Sequence, residues 1–277
     1  MPELIDGTFH FHSTYSHDGK NCLQEIASSL SARGLRFCIM TEHFEDFDAP
    51  KFDRYLEEIN TVSGNTGFLL IPGVEVNLSG LDTIIFPVQG YEEIARLVSE
   101  GRDGQRRMFK VLAHASKYKF EAIACHLRNY KIDGVEIWNQ QADGSHIPPL
   151  GLFEWVRSQS WGSQYRYFFG CDLHNVNLTV ANVLSVPRLN SQTEEAIVNS
   201  LIHGDFLSRS LPTGIEYRNG SEATDFDAWL QTLRRRRYYR GELLQSARRC
   251  LKVVYKMLPR DAQHSLNDIK NFVRNKV

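Results

Sequence analysis

The 277-residue chain has no long hydrophobic run. Segments such as Phe68–Pro72 and Val183–Pro187 fall far short of the ~18–20 apolar residues that span a bilayer, so no transmembrane helix is expected. The opening MPELIDGTFHFH has no basic stretch leading into an apolar one, so no secretory signal is expected either. Cysteine is sparse. Cys22, Cys38, Cys125, Cys171 and Cys250 are odd in number, widely spaced and form no Cys-x-x-Cys. That excludes a disulfide scaffold and points to reduced thiols in a cytoplasmic protein, each thiol acting as a small buried hydrophobe. No GxxxxGK[ST] loop and no GxSxG elbow occur, and GNTGFLLIPG does not fit GxGxxG. A nucleotide-binding fold and an elbow-type serine hydrolase therefore lack support.

What is present is a globular composition, 42% hydrophobic and 23% charged, enough for a substantial core. The formal net charge of −1 hides a cancellation. Residues 226–277 hold 13 Lys+Arg against 4 Asp+Glu, whereas residues 1–225 hold 19 against 29. An acidic body, 1–225, and a basic appendage, 226–277, are the expected domains.

Within the body, β-rich runs alternate with helix-period segments. Strands are expected at Thr8–His12, Arg36–Glu42, Phe68–Val76, Asp82–Val88, Phe109–Ala113, Gly134–Trp138, Tyr167–Cys171 and Asn182–Val186. Helices are expected at Cys22–Arg33, Tyr55–Val62, Tyr91–Glu100, Tyr118–Arg128, Phe153–Ser158 and Thr193–His203. Such alternation calls for parallel βαβ units. Polar residues collect where the strands end: His10 and His12, His43, Glu75, His114, then Asp172 and His174. Many separate strand ends contributing to one site favours a barrel, which presents its active face there, over a doubly wound sheet with one switch point.

Five of the ten histidines sit at these strand ends with acidic companions, a donor set for divalent metal. In an extended strand, residues i and i+2 point the same way, so His10 and His12 can share an ion, as can Asp172 and His174. Imidazoles with carboxylates suit Zn, Mn or Fe without choosing among them. The lack of cysteine at these positions argues against a closed structural zinc site.

In order along the chain stand FHFHSTYSHDG (9–19), TEH (41–43), GVEV (73–76), AHAS (113–116) and CDLH (171–174). The series resembles the motifs of the PHP (polymerase and histidinol phosphatase) superfamily of metal-dependent phosphoesterases, over roughly residues 7–190. The resemblance implies an α/β fold, a distorted (β/α)7 TIM-like barrel, here with a basic helical C-terminal extension. It implies two or three divalent ions. His10, His12 and Asp172 would hold one, Glu75 would bridge to a second bound by His114, and Asp18, His43 and His174 would form the third. His17 is an alternative to Asp18. The family draws a further ligand from the loop after GVEIWN, for which Asn139 and His146 are candidates, with Glu136 behind them. TEH departs from the commoner TDH, and Glu42 is not itself expected to ligate.

The resemblance implies hydrolysis of a phosphoric ester, the ions lowering the pKa of an attacking water and clamping phosphoryl oxygens. A proton for the leaving group would come from the Asp172/His174 end or from His17. Lys117 and Arg188 are candidate phosphate contacts. The expected activity is that of a phosphatase on a small or carrier-linked phosphomonoester. Two alternatives stand beside it: a phosphodiesterase or exonuclease on short nucleic acid, and a non-catalytic metal-stabilised scaffold.

In the appendage, Trp229, Leu233, Leu244, Ala247, Leu251, Val254 and Leu258 form a helical stripe beside Arg234–Arg237, Arg240, Arg248, Arg249, Lys252 and Lys256. One amphipathic helix, or two broken near Gly241, is expected before Pro259. Packing on the barrel, an anionic membrane at the inner face, and nucleic acid are the candidate partners.

Overall fold

The computed structural model describes residues 3–101, 108–159, 164–188, 193–219 and 231–232. Two compact units divide at Ala223/Thr224. The expected basic helices of 226–277 lie, apart from 231–232, outside the described residues. Among the described residues, no helix is long and apolar enough to cross a membrane.

The first unit opens with β1 (Leu4–Phe11), α1 (Leu23–Ala32), β2 (Phe37–Met40) and the short β3 (Glu42–His43). Then come α2 (Ala49–Thr66), β4 (Leu69–Ile71), β5 (Val74–Leu78), β6 (Leu81–Phe86) and α3 (Tyr91–Glu100). β7 (Phe109–Leu112), α4 (Phe120–Asn129), β8 (Gly134–Asn139), α5 (Gln140–Asp143) and α6 (Leu150–Ser158) follow. The unit ends with β9 (Arg166–Gly170), β10 (Asn182–Pro187), α7 (Glu194–His203), β11 (Leu207–Ser210) and β12 (Ile215–Arg218). α2 is longer at both ends than its apolar stripe because Asp48 caps it, accepting from Lys51 N at 2.7 Å, and Gly67 closes it in the left-handed region.

The strands form two six-stranded mixed sheets, β12-β11-β10-β1-β2-β4 and β3-β5-β6-β7-β8-β9, and strand pairing does not close them into a barrel. This corrects the expectation of a parallel (β/α)7 barrel to an α/β fold with mixed sheets. The physical cause is local. Only Ser79 and Gly80, both at positive φ, separate β5 from β6, and a two-residue turn can only return the chain antiparallel. β10 likewise runs antiparallel to β1, and the β11–β12 hairpin, absent from the expected strand list, extends that sheet. After β9 the chain runs beside the end of β1: Cys171 N donates to Phe9 O at 2.9 Å and His12 N to Leu173 O at 2.9 Å.

Beneath that junction lies an aromatic cluster. Phe9 contacts Phe86 and Phe168 (centroids 6.0 and 4.9 Å), and Phe109 contacts both as well. It joins strands from both sheets and forms an apolar floor next to His10. A second core packs α1, α2 and α3 against β2 and β4, with Phe52, Tyr55 and Leu30 buried.

One buried histidine lies away from the strand ends. His126 of α4 bonds Thr83 Oγ1 through Nε2 at 2.9 Å, and burial lowers its pKa to about 4. The folded state thus holds it neutral where the unfolded chain, near 6.5, takes up a proton. Its contribution is full above pH 6.5 and is lost as pH falls from 6.5 toward 4. Denaturant unfolding at pH 7 and pH 4.5 should show His126→Gln losing about 2 kcal/mol less stability across that interval than wild type.

Candidate metal centre

Three of the five non-glycine residues with positive φ among the described residues are His10 (72°), His114 (45°) and Asp172 (55°). His10 also sits at a register break between β1 and β2. The simple i, i+2 alternation expected for His10 and His12 therefore does not operate. A bulge aims His10 inward, and His12 follows just past the end of β1. Backbone held in a sparsely populated region is a recurrent mark of a working site.

These residues converge. His10 Nε2 lies 3.5 Å from Glu75 Oε2 and 3.5 Å from Asp172 Oδ1, and His12 Nε2 lies 3.6 and 3.4 Å from the same two oxygens. His114 Nδ1 stands 3.5 Å from Glu75 Oε1. Asp18 Oδ2 stands 3.5 Å from His43 Nε2 and 3.0 Å from His174 Nε2. A tetrahedron with arms of about 2.1 Å has edges of roughly 3.4 Å, so the first four atoms are spaced as donors around one ion.

The test of fit is the hydrogen-bond inventory. His10 Nε2, His12 Nε2, both Glu75 oxygens and His114 Nδ1 are buried without a hydrogen-bond partner. Buried polar atoms are normally satisfied, and so many orphans in one place fit cations held among them. The opposite nitrogens are engaged as metal-binding imidazoles require: His10 Nδ1 bonds Glu136 Oε1 at 2.9 Å, and His114 Nε2 bonds Asp172 Oδ2 at 3.0 Å. Electrostatics agree. Burial pulls the His10 pKa down, but Glu136, Asp172 and Glu75 outweigh it and raise it well above the usual value. Burial acts against His114 too, and the neighbouring Asp172 and Asp82 carboxylates lift it to about 9. His12, where burial dominates, falls to about 4. Asp172 is held far below the usual carboxylate range: burial raises it, and His10, His114 and His12 overcome that.

Residues 8–136 match the family model of the PHP domain. The matched segment, just under half of the chain, is similar to a PHP domain. Among solved structures, Endonuclease Q in complex with duplex DNA containing an abasic lesion is similar at 17% identity and TM-score 0.50, covering 73% of this chain and 57% of that one. A protein of Bifidobacterium adolescentis, provisionally named a metal-dependent phosphoesterase, matches at 13% identity and TM-score 0.45 over 73% of this chain and 97% of its own. PsfC of Pseudomonas syringae matches at 15% identity and TM-score 0.46, over 69% and 85%. No curated protein matches in sequence.

Beside these donors, a cavity of about 380 Å³ is lined by Asp18, His43, Glu75, His114, Asp172 and His174, joined by Glu45, Val76, Asn77, Asp82 and Lys117. Lys117 is placed there by the turn after His114, its N–H donating to His114 O at 2.8 Å. Glu42 does not face the cavity. It is buried, accepting from Ser13 N at 3.0 Å and Ser16 Oγ at 2.6 Å, and Ser16 Oγ in turn accepts from His43 N at 2.9 Å. The longer side chain of TEH therefore anchors the loop that carries His12 and orders His43.

Other candidates lie apart. Asn139 caps α5, its Oδ1 accepting from Ala142 N at 2.8 Å while Nδ2 donates to Glu136 Oε2 at 3.0 Å, so its side chain is spent on the cap and on orienting Glu136. His146 is exposed and joins no donor cluster among the described residues. Arg188 pairs with Glu3 at the start of β1, the end remote from His10, because β10 runs antiparallel to β1. His17 is exposed and bonds Asp46 Oδ2 at 2.9 Å, its ring stacked near His43 (centroids 5.3 Å), so Asp18 is the residue brought to His43 and His174. Asp172 has both oxygens turned to histidines and no proton to give a leaving group. His174 Nδ1 bonds Asp172 O at 3.1 Å, and its Nε2 faces Asp18.

Proposed function

We propose that this PHP-like domain is a metal-dependent phosphoesterase acting on a phosphomonoester. The observation that carries the reading is the set of five buried, partnerless donor atoms of His10, His12, Glu75 and His114, of which Glu75 and His114 line one small cavity. His10, His12, Glu75 and Asp172 would hold one divalent ion, Glu75 and His114 a second, and Asp18, His43 and His174 a third. When bound, such ions supply Lewis acidity toward a phosphoryl oxygen and toward water. The chain's own residues do the remainder. The apolar floor of Phe9, Phe86, Phe109 and Phe168 keeps bulk water from the donors. Glu136 fixes the His10 ring so that Nε2, not Nδ1, faces Glu75 and Asp172. Lys117 would offer its ammonium to a phosphoryl oxygen from the cavity wall, and His17, stacked beside His43, would protonate the departing alkoxide. A volume near 380 Å³ suits a phosphoryl group with a small part of its alcohol.

Metal-loaded protein should be assayed on a panel of phosphomonoesters and phosphodiesters. Monoester hydrolysis is expected, with Lys117→Ala raising KM about tenfold and changing kcat less, the loss of one charge-assisted hydrogen bond. Turnover confined to diesters would replace the reading with a phosphodiesterase or exonuclease. Failure on both would leave the scaffold reading.

A further inference from the structure

The second ion is short of donors. Glu75 Oε1 and His114 Nδ1 face each other at 3.5 Å, both buried and partnerless, while the Asn139 side chain is engaged with Ala142 N and Glu136 and His146 is exposed. A third atom stands at the missing corner. Asp82 Oδ2 lies 3.6 Å from His114 Nδ1, and Glu75, Asp82 and His114 each turn one donor into a common space less than 4.8 Å across. Both edges that meet at His114 thus have the length expected around one small cation.

Asp82 reaches this position because β6 runs against the neighbouring parallel strands. The start of β6, not its end, lies at the cavity, and Asp82 is its second residue. The carboxylate is held as metal-binding carboxylates are: Tyr118 OH donates to Oδ2 at 2.8 Å, and Asn77 Nδ2 donates to Oδ1 at 2.8 Å. Asn77 is itself fixed by the hairpin, its Oδ1 accepting from Gly80 N at 2.9 Å. Each Asp82 oxygen keeps a lone pair beyond its hydrogen bond, and Asp82 lines the cavity wall next to His114.

We infer that Asp82 is a ligand of the ion shared by Glu75 and His114, so that this ion is held by Glu75, Asp82 and His114. The inference rests on the metal-binding reading of the site and completes it. It makes the Ser79–Gly80 hairpin part of the metal site, with Asn77 and Tyr118 as positioning residues.

The test counts ions. Wild type and Asp82→Asn are stripped, reloaded with Mn²⁺ or Zn²⁺, freed of excess by gel filtration and analysed for metal. Asp82→Asn is expected to lose one equivalent per chain with an unchanged circular dichroism spectrum. Tyr118→Phe is expected to keep the full count with about tenfold weaker retention. Should Asp82→Asn fail to fold, Asp82→Cys loaded with Co²⁺ decides: a near-ultraviolet sulfur-to-cobalt band absent from wild type supports ligation, and its absence overturns it. An Asp82→Asn protein that keeps every ion at wild-type affinity overturns the inference alone. A wild-type protein that retains no ion overturns the metal reading beneath it.

Discussion

Glu75→Ala should strip the site of ions and lower hydrolysis at least about 10³-fold, a loss near 4 kcal/mol of transition-state stabilisation. The size follows from how many donors meet at this one side chain. Glu75 Oε2 faces His10, His12 and His43 Nδ1 at 3.5, 3.6 and 3.5 Å, while Oε1 faces His114 at 3.5 Å. No other carboxylate among the described residues joins both groups of donors through two partnerless oxygens. Removing it uncouples the ions and leaves each with an incomplete set. A second readout is independent of turnover. Divalent ion at 100 times its dissociation constant stabilises the wild-type fold by about 2.7 kcal/mol, whereas the variant should show almost no ion-dependent rise in melting temperature. An alanine variant that melts higher on metal addition, as wild type does, would sink the assignment.

Glu136→Ala should produce the largest fall in stability, about 3–5 kcal/mol, because it removes one charged acceptor from three buried donors. Glu136 takes His10 Nδ1 at 2.9 Å, His114 N at 2.8 Å and Asn139 Nδ2 at 3.0 Å. All of these groups are sealed from solvent and would be left unpaired. A gentler variant separates this structural cost from the effect on the ions. A Cβ at Gly170 would lie 1.7 Å from Glu136 Oε1, so Gly170→Ala must push the carboxylate off His10 while leaving its charge in place. Ion affinity should then fall about 10- to 100-fold, with a smaller drop in melting temperature than Glu136→Ala. Calorimetric titration of both variants with Mn²⁺ checks the order. Equal affinities in wild type and Gly170→Ala would show that His10 does not depend on Glu136 for its orientation.

Six of the seven residues read as strand ends lie near or just past the C-terminal end of a strand, where the chain turns toward the donor cluster. Glu75 is instead the second residue of β5, because the run 68–76 breaks into two strands at Pro72 and Gly73. Asp82 was not legible in the sequence, because the strand-end rule fails for a strand running the other way. A signal existed: Ser79–Gly80 joins two β-rich runs with no helical segment between them, which is a hairpin. Arg188, a candidate phosphate contact, lies at the other end of the sheet because β10 runs antiparallel to β1 and ends where β1 begins. Asn139 was a candidate because the resembling family draws a ligand from the loop after GVEIWN, but here the next residues form a helical turn, and a residue before a helix often caps it. His146 sits in the segment between α5 and α6, and periodicity says nothing about where such a segment leads. For residues 226–277 the charge pattern remains an expectation.

The left-handed backbone at positions 10, 114 and 172 sets thermal robustness against chemistry. Each such residue costs about 1–3 kcal/mol, and glycine would adopt the same φ without strain. Breeding the protein for heat tolerance alone would therefore drift toward glycine at three positions in distant parts of the chain, and each step would delete an imidazole or carboxylate from the cavity. Lineages kept for ion retention would hold the strained residues and recover stability elsewhere. In sequences that fold this way, a histidine or aspartate where the backbone would prefer glycine tells a working centre from an inherited shell.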